Sequence, residues 1–437
     1  MKFLLLALPV ALASHCYGNT DCAQCVNDQR GSACAWCGTS CGMAWDTCAS
    51  GAITAAVQCA AVSPPPPLPG DAYFEDASNL LAYNPVARHY GVAVTDTNAD
   101  GTFEFVIAGF GSRNLVYQWD AGTGKYEEIA PETLKDSAGQ AIGVAACDID
   151  ADGYEELYVL NTDQYSGSTT TSDKLYDRTG PGEYLELFSL PENANSANYV
   201  AGRSCACVDR MSDGRYGVMV ANYGGPMRLF ETAEDTPQTV EDKADEAGVA
   251  LTTGGRALVS APIVSTSMDI FANNEGYSGR RLAEEEAHAG AAAAVEAASA
   301  DPASSSQRVE SYTRVESRRE LSHRANFFFV NQGDGAFADQ ASSLGLLDNY
   351  NTGRGTALMD ANHDGLIDIV YGNWQSEHRL FVQSRDGGGA ASFADVAPAD
   401  MRAPSPVRTV IVADFDNDGY DEIFFNNIPV SPPPVPC

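Results

Sequence analysis

The sequence predicts an all-β fold: a β-propeller preceded by a small disulfide-rich module. Three observations lead there. An acidic turn between two apolar runs recurs five times between Val94 and Asn427. Neighbouring copies are 52 residues apart from Asp96 to Asp148, 61 from Asp148 to Asp209 and 54 from Asp360 to Asp414, the span of a four-stranded propeller blade. Eight of the twelve cysteines (Cys16, Cys22, Cys25, Cys34, Cys37, Cys41, Cys48 and Cys59) crowd into the first 60 residues, a density typical of small secreted modules.

At the start, Lys2, an apolar run from Phe3 to Leu12 and the small residues Ala11-Leu12-Ala13 read as a signal peptide over residues 1–13. The cysteine-rich module follows at 14–60. Its pairs Cys22/Cys25 and Cys34/Cys37 have spacing that also suits zinc thiolates, but behind a signal peptide disulfides are the expectation. "AVSPPPPLPGD", residues 61–71, is a semi-rigid polyproline linker, and the propeller runs over 72–437. No later segment reaches the roughly 18–20 apolar residues of a membrane span, so the mature chain is expected to be secreted and extracellular, with no membrane insertion. A formal net charge of −33, from 59 acidic and 26 basic residues, excludes nucleic acid as a natural partner and favours cations.

The five copies are "VTDTNADGTFEFVIAGF", "ACDIDADGYEELYVLN", "CVDRMSDGRYGVMVAN", "LMDANHDGLIDIVYGNW" and "VADFDNDGYDEIFFNN". Apolar runs such as "TVIVAD" suit strands buried on both faces. Behind them, "NLVYQWDAGTGKYEEIAP", "NFFFVNQGDGAFADQAS" and "HRLFVQSRDGGG" each add a strand, a Gly-rich turn and a strand, giving about four strands per repeat. The gap from Asp209 to Asp360 is 151 residues, too wide for one unit. It holds a degenerate sixth copy, "GGRALVSAPIVSTSMDIFANN", with Arg256, Asp269 and Asn273/Asn274, and a low-complexity insertion at about 277–324 whose expected state is disorder.

In these turns, side-chain oxygens at positions one, three and five share one side of a tight loop, Gly at six permits the turn, and an acid at nine closes the site. Oxygen-only donors select a hard cation, Ca²⁺. About four sites satisfy the pattern: Asp96, Asn98, Asp100, Glu104; Asp148, Asp150, Asp152, Glu156; Asp360, Asn362, Asp364, Asp368; Asp414, Asp416, Asp418, Glu422. The carbonyls of Thr102, Tyr154, Leu366 and Tyr420 are the expected position-seven ligands. In the third copy Met211 replaces a donor and Gly217 the closing acid, so little or no calcium is expected at Asp209 and Asp213. A single such turn is also an ordinary solvated hairpin; four in register are not. An EF-hand needs flanking helices and an acid at position twelve, where the last loop has Phe425. Calcium can either tie the hairpins structurally or regulate binding; the structural role is the expectation. The six histidines form no motif with a nucleophile, so no enzyme is expected.

Arg203, Arg354 and Arg408 stand six residues before a leading Asp, with Arg88 and Arg256 nearby, and Asn161, Asn222, Asn373 and Asn427 stand thirteen after. Antiparallel strands bring both sets to one end. They either satisfy strand ends between blades or form a basic ring for an acidic or carbohydrate partner.

The turn pattern resembles FG-GAP repeats, the calcium-binding blades of integrin α-chain propellers. "GRGTALMDANHDGLIDIVYGNW", "PSPVRTVIVADFDNDGYDEIFFNN" and "NQGDGAFADQAS" resemble the cartilage acidic protein family over about residues 72–437 apart from the insertion. That resemblance implies about seven blades, of which six are recognisable here and the last is incomplete. It implies calcium roles at the sixteen side chains above, and extracellular binding of a protein or glycan in matrix or adhesion. This chain lacks an Asn-x-Ser/Thr sequon, and it stops at "NNIPVSPPPVPC" where relatives continue. Imperfect closure or truncation is therefore expected, with "AYFEDAS" at 72–78 as a candidate outer strand. "CAQC…CAWCGTSC" resembles a plexin-semaphorin-integrin module. The function expected is a secreted calcium-binding propeller mediating protein binding or adhesion. The alternatives are a calcium-dependent lectin and, further off, a propeller hydrolase.

Overall fold

The computed structural model describes residues 76–233, 235–276, 325–416 and 418–428, and the backbone of two short paired strands, β1 (Cys34–Trp36) and β2 (Cys41–Met43). The expected signal peptide, the rest of the expected cysteine-rich module, the Pro-rich stretch and the expected insertion lie outside the described residues. The chain divides into two compact units, one of residues 1–88 with 428–437 and one of His89–Asn427. The second contains the repeats.

Its strands run as successive antiparallel meanders. The first sheet is β3 (His89–Thr95), β4 (Glu104–Gly109), β5 (Leu115–Asp120) and β6 (Lys125–Glu128). The second is β7 (Ala141–Cys147), β8 (Glu156–Asn161), β9 (Lys174–Gly180) and β10 (Glu183–Glu186). The third is β11 (Gly202–Val208), β12 (Gly217–Pro226), β13 (Arg228–Ala233) and β14 (Thr236–Asp242). The fourth is β15 (Thr252–Ala261), β16 (Asp269–Asn274), β17 (Phe327–Asn331) and β18 (Phe337–Asp339), joined to the third through β12 and β15. The fifth is β19 (Gly353–Met359), β20 (Asp368–Asn373), β21 (Arg379–Arg385) and β22 (Ala391–Asp395), and the sixth is the pair β23 (Val407–Ala413) and β24 (Glu422–Asn427). These are the six expected units, the last with two described strands, and the insertion falls between β16 and β17. Of the "AYFEDAS" stretch, the described residues 76–78 are not extended: Asp76 accepts the N–H of Ser78 at 2.9 Å and a 3-10 turn follows at Ser78–Leu80.

Period-two alternation explains why middle strands read as unbroken apolar runs. In β17, Phe327 and Phe329 pack with Met219, Leu229 and Ile270, towards the third sheet. Phe328 and Val330 pack with Ile369, Tyr371 and Phe381, towards the fifth. Both faces are core, as face-to-face stacking of twisted sheets requires. Similar cores lie between sheets one and two, two and three, and five and six. Each fully buried Phe or Leu contributes about 1.5–3 kcal/mol, so the cohesion of this all-β, propeller-like unit is distributed between sheets.

The first strands of consecutive sheets neighbour one another in the order β3, β7, β11, β15, β19, β23. They approach closely enough to require glycine. A Cβ on Gly91 would lie 2.7 Å from the Cα of Gly143, and one on Gly355 would lie 2.3 Å from the backbone nitrogen of Val410. A disulfide between Cys147 and Cys207, 60 residues apart, also joins two of these strands, β7 and β11.

Candidate functional site

Each acidic loop joins the first and second strand of its sheet, and its geometry repeats. Gly101, Gly153, Gly365 and Gly419 have φ between 80° and 93°, the left-handed region that position six demands. The leading carboxylate accepts the N–H of that glycine at 2.9 Å in Asp96, Asp360 and Asp414 and at 3.1 Å in Asp148. Position three (Asn98, Asp150, Asn362, Asp416) accepts the N–H of position five at 3.0–3.1 Å. Position five (Asp100, Asp152, Asp364, Asp418) accepts the N–H of Thr102, Tyr154, Leu366 and Tyr420 at 2.8–2.9 Å.

The ninth residue opens the second strand. Glu104, Glu156, Asp368 and Glu422 each accept the N–H of position two (Thr97, Ile149, Ala361, Phe415) at 2.8 Å. Burial pushes Glu104 and Asp368 above the usual carboxylate range, with the loop's other acids adding to it. In the second loop burial, then Asp150 and Asp152, push Glu156 up to about 8. There Asp148 Oδ1 and Glu156 Oε1 are buried without a hydrogen-bond partner, as is Glu104 Oε1 in the first loop. Unpartnered carboxylate oxygens of this kind are costly unless a cation meets them.

The loops differ in how far they converge. Oxygens of Asp148, Asp150 and Glu156 lie within 4.8 Å of one another, as do those of Asp414, Asp416 and Glu422. Asp152 and Asp418 stand outside those groups and accept the N–H of Tyr154 and Tyr420. With an amide at position three, the loops at Asp96 and Asp360 form no such three-carboxylate group among the described residues. Asp100 is further occupied by Thr102 Oγ1 and Gln118, and Asp364 by Asn362 at 2.9 Å.

In the third loop, Asp209 and Asp213 keep the turn, accepting from Gly214 and Arg215 at 3.0 Å. Gly217 leaves no closing acid. In the fourth sheet the turn acids are gone, yet Asp269 keeps the closing position, accepting from Val264 at 2.8 Å and Ser265 at 2.9 Å.

Four of the loops are also braced, by contacts that no sequence pattern marks. A polar side chain on the third strand of the following sheet donates to a loop carbonyl. Arg178 reaches Asp96 at 2.7 Å, Thr232 reaches Ile149 at 2.8 Å, Asn331 reaches Arg210 at 2.8 Å and Gln383 reaches Ile263 at 3.1 Å. Their chemistry differs in every copy, which is why alignment of the repeats does not reveal them.

At the opposite strand ends the arginines gather. The ladder of every first strand breaks at its start, between His89 and Val92, Ala141 and Gly143, Gly202 and Ser204, Gly255 and Leu258, Gly353 and Thr356, and Val407 and Thr409. Arg203, Arg256, Arg354 and Arg408 occupy these bulges, which re-aim side chains out of a ladder. Arg203 lies 5.7 Å from the ring of Tyr223, Arg256 4.9 Å from the same ring, and Arg354 and Arg408 lie 5.4 Å and 4.7 Å from Trp374. Glu275 pairs with Arg256 and, at 2.7 Å, with Arg354. Burial lowers the guanidinium pKa values of Arg203, Arg256 and Arg354. In Arg256, pushed down to about 9, the neighbouring Arg354 is the next cause.

Of the two roles expected of Asn161, Asn222, Asn373 and Asn427, the satisfying of strand ends describes the first three. The first three are buried and close strand ends, donating to Asp136 at 3.0 Å, Pro226 O at 2.7 Å and Glu377 O at 2.7 Å. Asn427 is exposed and accepts from Ser405 at 2.6 Å. The residues directly after Asn222, Asn274 and Asn373 are what meet the arginines: Tyr223, Glu275 and Trp374; in the first sheet Phe110 packs against Tyr90 at 5.6 Å. That fixed offset was the available signal.

Residues 74–159 and 360–425 match the FG-GAP-like repeat family. Cartilage acidic protein 1 of Xenopus tropicalis is 41% identical over 366 residues, covering 79% of this chain and 49% of that protein. Its Homo sapiens counterpart is 41% identical over 365 residues, covering 79% and 48%, and that of Mus musculus 40% over 365 residues, covering 79% and 49%. The chain thus spans about half the length of the curated relatives it matches. Across these residues it is a homologue of cartilage acidic protein 1, built on FG-GAP-like repeats.

Proposed function

We propose that this chain is a calcium-stabilised, secreted binding protein of the extracellular matrix whose propeller-like unit engages another protein. The observation that carries the calcium reading is the second loop, where three carboxylates converge within 4.8 Å and buried oxygens of Asp148 and Glu156 lack partners. Oxygen-only donors fit a hard divalent cation. Asp148, Asp150 and Glu156 would hold one ion and Asp414, Asp416 and Glu422 a second. The loops at Asp96 and Asp360 supply weaker sites through Asn98 and Asn362. A bound ion neutralises repelling carboxylates and ties the first hairpin of its sheet.

An extracellular setting is supported by the Cys147–Cys207 disulfide, a bond that persists in oxidising compartments, and by relatives named for cartilage. Binding rather than catalysis is supported by the loop acids, which are engaged by their own turn N–H groups.

Isothermal calcium titration paired with thermal unfolding tests this. Calcium should bind with affinities in the range of about 10⁻⁴–10⁻³ M typical of extracellular modules and raise Tm by mass action. Absence of binding heat together with a Tm indifferent to EDTA would sink the calcium reading.

A further inference from the structure

We infer that the arginine cluster at the bulged ends of β11, β15, β19 and β23 is a docking site for a carboxylate presented by an acidic segment of a partner protein. This rests on the reading of the unit as an extracellular binding module and names the surface and the partner's chemistry.

Four guanidiniums gather in a chain of net charge −33, and Glu275 is the acid that neutralises them, through Arg256 and Arg354. Arg203 and Arg408 are left without an acidic partner among the described residues. Arg203 donates to main-chain carbonyls of Gln164 and Tyr165. Arg408 is exposed and, among the described residues, makes no hydrogen bond or ion pair; it stacks on Trp374 at 4.7 Å. Stacking fixes the plane of a guanidinium and leaves its N–H edge available for bidentate pairing with a carboxylate. Glu275 shows that the cluster accepts a carboxylate, which there bridges Arg256 and Arg354.

The surroundings favour a protein over a polyanionic glycan. Tyr165 is 62% exposed beside Arg203 and Arg256, and Tyr90 is 58% exposed on the first strand of the first sheet. Tyr, Trp and Arg together are the composition of interface hot spots. A sulfated polysaccharide needs an extended cationic track, whereas this cluster is compact within an acidic surface that repels the rest of such a chain.

The test uses the full chain in calcium buffer, with a fluorescein-labelled, capped hexaglutamate peptide as probe and fluorescence anisotropy as readout. The peptide should bind at low ionic strength with a dissociation constant below about 1 mM, while capped hexaglutamine does not. Arg408→Gln removes an exposed group, so the thermal transition should stay unchanged while hexaglutamate binding weakens about tenfold. Glu275→Gln should strengthen binding, a response opposite to that of general destabilisation. Absence of hexaglutamate binding, or equal binding by R408Q, overturns the site. A heparin hexasaccharide that binds more tightly than the peptide and is lost in R408Q overturns the acidic-protein assignment. Because folding and calcium titration are read separately, failure here is distinguishable from failure of the calcium reading.

Discussion

Cys147 and Cys207 form a disulfide between the first strands of the second and third sheets, 60 residues apart. The separation is almost one repeat, so the two cysteines occupy nearly equivalent positions beside the acidic loops that begin at Asp148 and Asp209. The bond ties neighbouring sheets where their first strands pack.

Removing that bond should cost stability. On the chain-entropy account a closed loop of this length contributes about 4 kcal/mol. The double variant Cys147→Ala/Cys207→Ala should therefore melt lower than the parent in calorimetry. Cys205, whose thiol burial pushes up to about 12, should resist alkylation in the folded protein. Peptide mapping that finds Cys205 labelled as fast as a free thiol, or an unchanged Tm in the double variant, would contradict this picture.

The acidic loops should not respond alike. Asp150→Asn and Asp416→Asn each remove one of three converging carboxylates, so each should weaken one calcium site by about tenfold, since affinity follows ligand charge count. Asp209→Asn should leave calcium stoichiometry unchanged, because its loop ends at Gly217 with no closing acid. Titration calorimetry on the three variants separates them; an equal loss of calcium in D209N would refute the ranking of loops.

Much of this was legible in the sequence because it repeats. Acidic turns, flanking apolar runs and the offset of Arg203, Arg354 and Arg408 recur at one period, and period-two burial of "NFFFVN" follows from strands with core on both faces. What was not legible is chemistry that changes from copy to copy. The braces Arg178, Thr232, Asn331 and Gln383 do one job with four side-chain types. Glu275 stands where the first, third and fifth copies place the aromatic residues Phe110, Tyr223 and Trp374. The asparagines are a related case: a shared strand end does not fix the direction of a side chain, and of the two roles expected of them Asn161, Asn222 and Asn373 take the one that satisfies strand ends.

Close approach of first strands makes a sharper prediction at Gly355. A Cβ there would meet the backbone of Thr409 and Val410 at 2.3–2.7 Å, and backbone cannot swing aside as a side chain can. Gly355→Ala should destabilise by about 1–3 kcal/mol through overpacking. A Cβ on Gly387 would have nothing within 4 Å, so Gly387→Ala should stay within about 0.5 kcal/mol of the parent. Equal urea midpoints for both variants would show that β19 and β23 do not pack this closely.

Asp173 carries the pH dependence most cleanly, because it lies away from the acidic loops. It is buried and accepts the Tyr158 hydroxyl, the Asn161 N–H at 2.7 Å and the Asn198 amide at 2.7 Å. Burial outweighs these bonds and pushes its carboxyl up to about 7. An unfolded aspartate titrates near 3.9, so the folded state holds the proton more tightly. Its contribution to stability is fully present below about pH 4 and is lost as pH rises through 7. A shift of this size corresponds to a loss on the order of 4 kcal/mol. Asp173→Asn stays neutral throughout, so the stability of the parent relative to this variant should fall between about pH 4.5 and 7.5. Urea unfolding of both proteins in EDTA across that range measures the difference, and the buried loop acids, present in both, cancel. Parallel stability curves would mean that Asp173 is ionised in the folded protein.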